Sequence, residues 1–112
     1  MVLMNTFVTL ADYAHARAGD KGNVLSIAVF PLDDAHYAWL LRELTCERVA
    51  EQFATRRPST VRRYALDNLR ALNFVLEDAL EGGVNRSAGL DRHGKSLSYL
   101  LLSMRLPTPL EA

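Results

Sequence analysis

The apolar run VLSIAVF, residues 24–30, is the feature that most constrains the fold of this chain. It contains β-branched residues, follows the segment AGDKG (18–22) and ends at Pro31, which is the pattern of a core β-strand. Residues 7–13 form a second strand-like segment, and AGDKG between the two is typical of a turn. The first third of the chain therefore predicts a pair of strands.

Three later segments carry apolar residues at the i, i+3, i+4, i+7 spacing of a helix that buries one face. They cover residues 37–44, 46–53 and 68–80. We expect caps from Asp33 or Asp34, from Thr45, and from a glycine of EGG (81–83) at the end of the third helix. Cys46 belongs to the second apolar stripe, so we expect a small core residue and not a nucleophile.

The remaining segments suggest further strands. VRRYAL (61–66) reads as a short strand, and DRHG (91–94) as a turn. The apolar residues of the tail, 95–106, fit the spacing of a helix and also the alternation of a strand. A short helix followed by a last strand would satisfy both patterns. The whole chain, 1–112, is therefore predicted to be a single α+β domain, a two-layer sandwich with helices on one face of a mainly antiparallel sheet.

Composition excludes several classes of function. The 13 basic and 13 acidic residues cancel, which removes the electrostatic reason to expect nucleic-acid binding. One cysteine makes neither an internal disulfide nor a thiolate cluster, and no metal-ligand spacing occurs, so we expect no metal and no cofactor. The N-terminus has neither a signal-peptide pattern nor a long apolar run, so we expect a cytoplasmic protein without a membrane partner.

The segment HARAGDKGN, residues 15–23, concentrates charge and glycine beside the predicted core strand. Glycine lets backbone N–H groups approach a ligand, and Lys and Arg supply positive charge for a phosphate or carboxylate. The P-loop spacing is absent, and the alternative is a hairpin turn with solvated charges. The predicted ligand-binding residues are Arg17, Gly19, Lys21, Gly22, Asn23 and Asn73.

Two residues of this segment are candidates for acid–base chemistry. Asp20 would either hold Lys21 in place or act as a base. His15 is a candidate general base, with a purely structural role as the alternative. Asn73 lies within the apolar arc of its predicted helix and must find hydrogen-bond partners. Its functional role would be to orient a ligand or to brace AGDKG, and its structural role would be to hold a loop backbone in place.

Trp39 falls outside the apolar stripe of its predicted helix. Tryptophan is enriched among interface anchors, so we expect a homo-oligomer or another protein partner. Glycine and charge also meet in EGGVNRS (81–87) and DRHGKS (91–96). The roles of His93 and Lys95, in the second of these, stay open.

Three pieces in order, AHARAGDKGN (14–23), LNFVLEDALEGG (72–83) and GLDRHGKSL (89–97), make the chain similar to the small ferredoxin-like domain of the acyclic terpene utilisation AtuA family. The resemblance extends from about residue 9 to residue 106. Two departures stand out. The family commonly has Ser where this chain has Ala18, and Arg86 is offset from the family's pattern.

The resemblance implies a ferredoxin-like α+β fold without an iron–sulfur cluster. In larger members this domain follows a longer acyclic-terpene-utilisation domain. For this chain, the resemblance implies a separate subunit that meets a larger AtuA-like protein. The family's setting is the breakdown of terpenoids and branched acids. We therefore expect a small catabolic protein that binds an anionic small molecule, an acyl-CoA or a carboxylate. The alternative is a non-catalytic subunit that docks on the larger protein.

Overall fold

The computed structural model describes residues 6–79 and 97–109. Short 3-10 turns connect several of its elements. The strands are β1 (Phe7–Thr9), β2 (Ala14–Lys21), β3 (Val24–Pro31), β4 (Thr60–Leu66), β5 (Ala71–Glu77) and β6 (Arg105–Pro107). The helices are α1 (Tyr37–Glu43), α2 (Cys46–Gln52) and α3, which covers residues 97–102.

Four strands form one antiparallel sheet in the order β2-β3-β5-β4, while β1 and β6 pair as a separate two-stranded sheet. Because β5 lies between β3 and β4, these two strands run parallel, and α1 and α2 provide the connection between them. This is the split β-α-β arrangement of ferredoxin-like folds. The predicted α+β class with helices on a mainly antiparallel sheet is confirmed.

The hydrophobic core lies between the helices and one face of the four-stranded sheet. Burial alternates along β3 and β5, since successive side chains of a strand point to opposite faces. The buried positions are Leu25, Ile27, Val29, Leu72, Phe74 and Leu76 of the sheet, Leu40, Val49, Leu97 and Leu101 of the helices, and Leu44 and Phe53 directly after α1 and α2. We call the other side of the sheet, away from the helices, the open face.

The predicted helix over residues 68–80 is wrong, because this segment contains β5. The spacing of Leu69, Leu72 and Leu76 also suits a helix, but Leu72, Phe74 and Leu76 equally satisfy the alternation of a strand. Arg70, with φ 48°, reverses the chain before Ala71 and prevents a continuous helix. Pairing with β3 on one side and β4 on the other then fixes the extended form. The proposed glycine cap in EGG lies outside the described residues.

The turn before β3 is shorter than the sequence suggested. Strand β2 continues through Lys21, so AGDKG is mostly strand, and only Gly22 and Asn23 connect Lys21 to Val24. Gly22 has φ +63°, which a two-residue hairpin of type II′ requires at its first position. The predicted strand over 7–13 is also shorter, because β1 ends at Thr9 and a 3-10 turn follows.

The predicted caps at Asp33 and Thr45 are confirmed. The Asp33 side chain accepts a hydrogen bond from the backbone N–H of Ala35 at 2.9 Å, before the 3-10 turn that leads into α1. The Thr45 hydroxyl accepts one from the N–H of Arg48 at 3.1 Å and caps α2. The tail forms a helix followed by β6, as expected, while the DRHG segment lies outside the described residues.

Trp39 lies outside the apolar stripe of α1, yet it is buried. Only 4% of the residue is exposed, and its indole Nε1 donates a hydrogen bond to the carbonyl oxygen of Pro107 at 2.9 Å. The two-stranded β1–β6 sheet contributes this partner, so α1 is buried on a second side that its own periodicity does not reveal. Trp39 therefore provides no basis for an oligomer. Cys46, expected in the core, is only half-buried.

Candidate functional site

Strand β2 presents its residues alternately to the two faces of the sheet. His15, Arg17, Gly19 and Lys21 lie on the open face and are exposed, whereas Ala16, Ala18 and Asp20 lie on the helix side. The structure therefore brings the two predicted cations onto one surface, with Gly19 between them. A strand, and not a flexible loop, holds them there.

Asp20 does not join this surface. Its carboxylate lies on the helix side of β2, in register with Leu25, and no described ion pair links it to Lys21. Its Oδ2 atom is buried and has no hydrogen-bond partner among the described residues. The hypothesis that Asp20 positions Lys21 thus has no contact to support it in this structure.

Asn73 lies on the open face of β5, in a cross-strand row that also contains Arg17, Ala28 and Tyr64. It is half-buried, and its amide Nδ2 lies 3.3 Å from the Ser26 hydroxyl, which in turn lies 3.4 Å from Asn73 Oδ1. Two strand spacings, about 10 Å, separate the backbones of Asn73 and Arg17. The amide therefore has its partner on this face and stands beside the predicted binding residues.

Gly19 leaves a gap between the two cations of β2. A Cβ placed on Gly19 meets no heavy atom within 4 Å. Four residues along a strand separate the Cα atoms of Arg17 and Lys21 by about 13 Å, and both side chains are long enough to lean over the gap. The neighbouring position on β3 is Ser26. A bare backbone between two cations, next to a hydroxyl, is well suited to receive an anionic group.

The open face is positively charged. Its described cations are Arg17, Lys21 and Arg62, and none of them makes an ion pair with a residue that the structure describes. Among the described positions of this face, Glu77 is the one acid, and it accepts a hydrogen bond from the Thr60 hydroxyl at 2.9 Å. The chain as a whole has no net charge, so this excess of positive charge is local.

Ser26, Arg62 and Tyr64 were not predicted from the sequence as parts of this surface. The signal for Arg62 and Tyr64 was present in VRRYAL, since alternation along a strand places both on one face. Ser26 is the one hydroxyl within the apolar run of β3. These residues belong to the open face only because β5 inserts between β3 and β4, which the predicted helix over 68–80 excluded.

His15 packs against an aromatic ring and makes no ion pair with a described acid. Its ring stacks on Phe30, with the centroids 5.1 Å apart and an angle of 17° between the planes. Gly22 and Asn23 form the turn at the other end of β2, and both are exposed. These residues extend the open face at its two ends.

Several cavities lie away from the gap at Gly19. One of about 360 Å³ is lined by Arg48, Glu51, Gln52, Ser103, Met104 and Arg105. Two of about 280 Å³ lie at the turn between β4 and β5 and beside Cys46.

Within residues 6–79 and 97–109, no three His, Cys, Asp or Glu side chains cluster as metal ligands. No helix in these same ranges has the length and apolar character needed to span a membrane.

A comparison with protein-family models matches residues 8–107 to the AtuA ferredoxin-like domain. The chain belongs to this family. The AtuA ferredoxin-like match begins within β1 and ends at the last residue of β6, so it includes both sheets and the open face. A search of curated proteins found no match, and neither did a search of solved structures. The resemblance stated from the sequence is thereby confirmed.

Proposed function

We propose that this AtuA ferredoxin-like domain is a docking module, which binds an acidic surface of a larger protein through its open face. One observation carries the proposal: Arg17 and Lys21 lie on the same exposed face on either side of Gly19, without an acidic partner among the described residues. Cations held in this way on a rigid strand are available to carboxylates of another molecule.

The openness of the surface favours a protein over a small ligand. Small-molecule sites are concave and bury about 70–90% of their ligand. Gly19 instead faces open space, and its neighbours Arg17 and Lys21 are exposed. Protein interfaces use broad surfaces of about 800 Å² on each partner, and complementary charge there provides specificity and speeds association. The partner expected from the family resemblance is the longer acyclic-terpene-utilisation domain.

A second candidate function is the binding of an anionic small molecule, an acyl-CoA or a carboxylate, in the breakdown of terpenoids or branched acids. The observation that favours it is the Ser26–Asn73 pair, which places a hydroxyl and an amide beside the gap at Gly19. Together with Arg17 and Lys21, these groups could donate hydrogen bonds to a phosphate or carboxylate. We assign no catalytic step to this site.

Calorimetric titration tests the docking function. The probe is the longer domain of a larger family member, purified separately and titrated with this chain. We expect an Arg17→Ala/Lys21→Ala double variant to bind at least about tenfold more weakly, which corresponds to about 1.4 kcal/mol. The matched control is Arg42→Ala, which removes an exposed arginine of α1 on the helix layer. Unchanged affinity in the double variant, or an equal loss in the control, would overturn the proposal.

A parallel titration with acetyl-CoA, isovaleryl-CoA and free isovalerate separates the second candidate. Heat release that saturates and disappears in the Arg17→Ala/Lys21→Ala variant supports small-molecule binding. If none of these compounds binds while the longer domain does, the docking function stands and the second candidate is rejected.

A further inference from the structure

We infer that the open face receives a single amphipathic α-helix of the acidic partner, lying along β3 and β5 with acidic residues on both sides of its apolar stripe. This inference rests on the proposed docking function and adds the shape and chemistry of the bound segment. It follows from the arrangement of large and small side chains across the sheet.

In the middle of the open face, the two central strands present small or short side chains. Phe30 and Glu77 of these strands lie beyond them, at the two ends of the face. Ala28 and Ser26 of β3 and Val75 and Asn73 of β5 occupy adjoining positions in register, and all four are half-buried. A floor of small residues allows the backbone of another element to approach the sheet closely. Ala28 and Val75 are apolar, so this floor gains free energy when it is removed from water.

The two edge strands present long side chains that border this floor. Arg17 and Lys21 stand on β2, while Arg62 and Tyr64 stand on β4. In one row Arg17 faces Ala28, Asn73 and then Tyr64, and in the next Gly19 leads through Ser26 and Val75 to Arg62. The open face is therefore a shallow trough with a positive charge on each border.

The width of the trough fits one helix. From β2 to β4 there are three strand spacings of about 4.8 Å, or about 14 Å in all. An α-helix with its side chains is about 10–12 Å across. An extended segment would instead add to an exposed sheet edge through backbone hydrogen bonds, and it would not require a floor of small residues.

The positions of charge define the sequence of the helix. Cations on both borders pair with acidic residues on both flanks of the helix, and the apolar stripe between those flanks covers Ala28 and Val75. Tyr64 and Leu66, 48% and 40% exposed, offer further apolar contact along β4. A second copy of this chain is a poor occupant, because face-to-face pairing brings Arg17, Lys21 and Arg62 of each copy together.

Fluorescence anisotropy with labelled synthetic peptides tests this inference on the full chain. The first peptide is a helix former with leucine at i, i+3, i+4 and i+7 and glutamate on both flanks. The second has the same composition in an order that destroys the leucine stripe, and the third replaces each glutamate by lysine. We expect the first to bind at least tenfold more tightly than the second, and the third not to bind.

Two variants locate the helix. Ala28→Phe raises the floor of the trough at a half-buried position where a strand tolerates an aromatic residue, and we expect it to weaken binding of the first peptide at least tenfold. Arg62→Ala removes the charge on the β4 border and should weaken it about threefold to tenfold. Circular dichroism of each variant confirms that the sheet is intact.

The outcomes separate this inference from the docking function. Equal binding of the first and second peptides, or no effect of Ala28→Phe, overturns the inference that the open face binds a helix. The proposal that this face recognises acidic groups would still stand. If no peptide binds but the longer domain does, the same Ala28→Phe variant is tested on that complex, and an unchanged affinity overturns the helix there. If neither the peptides nor the longer domain bind, the docking function itself fails.

Discussion

Arg62 and Arg63 are consecutive on β4, yet they act on opposite sides of the sheet. The guanidinium Nη1 of Arg63 donates hydrogen bonds to the carbonyl oxygens of Leu41 and Leu44, each at 2.9 Å, at the end of α1. Arg62 lies exposed on the open face, without an ion pair among the described residues. One arginine therefore attaches a helix to the sheet, while its neighbour contributes charge to the trough.

Replacement of these two arginines should have very different effects on stability. Arg63→Met leaves two helix-end carbonyls without their charged donor, and we expect the free energy of unfolding to fall by about 1.5–3 kcal/mol. Arg62→Met, the matched control one residue away, should change it by less than about 0.5 kcal/mol. Urea denaturation followed by the fluorescence of Trp39, the single tryptophan, measures both. Equal losses would show that the Arg63 contacts do not stabilise α1.

The two glycines of the predicted binding segment should respond differently to alanine. Gly22 has φ +63°, so Gly22→Ala should lower the free energy of unfolding by about 1–2 kcal/mol. Gly19 has an ordinary strand conformation with open space around it, so Gly19→Ala should be neutral or stabilise by up to about 1 kcal/mol. Thermal unfolding of both variants tests this, and a loss at Gly19 as large as that at Gly22 would contradict it.

Trp39 should contribute to stability through its indole N–H as well as its volume. Trp39→Phe keeps an aromatic ring but leaves the carbonyl of Pro107 unpaired, and we expect a loss of about 1–3 kcal/mol. Tyr99→Phe is the control, since Tyr99 is 72% exposed. Because the first variant lacks tryptophan, far-UV circular dichroism in urea follows both. A loss confined to Tyr99→Phe, or none in either variant, would refute the structural role.

Stability should depend on Tyr37 at high pH. Its hydroxyl donates a hydrogen bond to Asp67 at 2.7 Å, and burial, followed by this contact, raises the pKa of Tyr37 from 10.0 to about 12. The folded state then holds a proton that the unfolded chain releases, so the stabilisation is complete below pH 10 and declines as pH rises towards 12.

The Tyr37→Phe variant isolates this dependence, since it removes the titrating group and keeps the ring. Denaturation between pH 9 and about pH 12 should give a shallower decline for the variant than for the parent chain. Parallel curves would show that other groups account for the loss at high pH.

Sequence patterns predicted the elements whose stabilising contacts are local. The caps at Asp33 and Thr45 lie within three residues of the groups they bind, and the β-branched run of β3 suits a strand in almost any context. Local patterns do not distinguish a helix from a strand over residues 68–80, because the leucines there fit both the helical spacing and the alternation of a strand. Only the pairing of β5 with β4, the preceding strand, and with β3, which is remote in sequence, selects the extended form.

The candidate site was predicted in its residues but not in its shape. The cations Arg17 and Lys21 were identified by their proximity to glycine, whereas the alternation that separates them from Asp20 follows from β2 being a strand. Trp39 was misjudged for a related reason. A helical pattern shows the side that faces one layer, and the β1–β6 sheet adds a second layer from remote parts of the chain.

The pairing of β1 with β6 places Phe7 opposite Pro107 and Thr9 opposite Arg105. The polypeptide thus enters and leaves the folded unit through two neighbouring strands, which form a sheet separate from the four-stranded one. A unit with this geometry tolerates being spliced into, or tethered to, a longer polypeptide at either strand. Fusions made there would preserve the trough, and a linker joining residues 109 and 6 would yield circular permutants with new termini opened elsewhere.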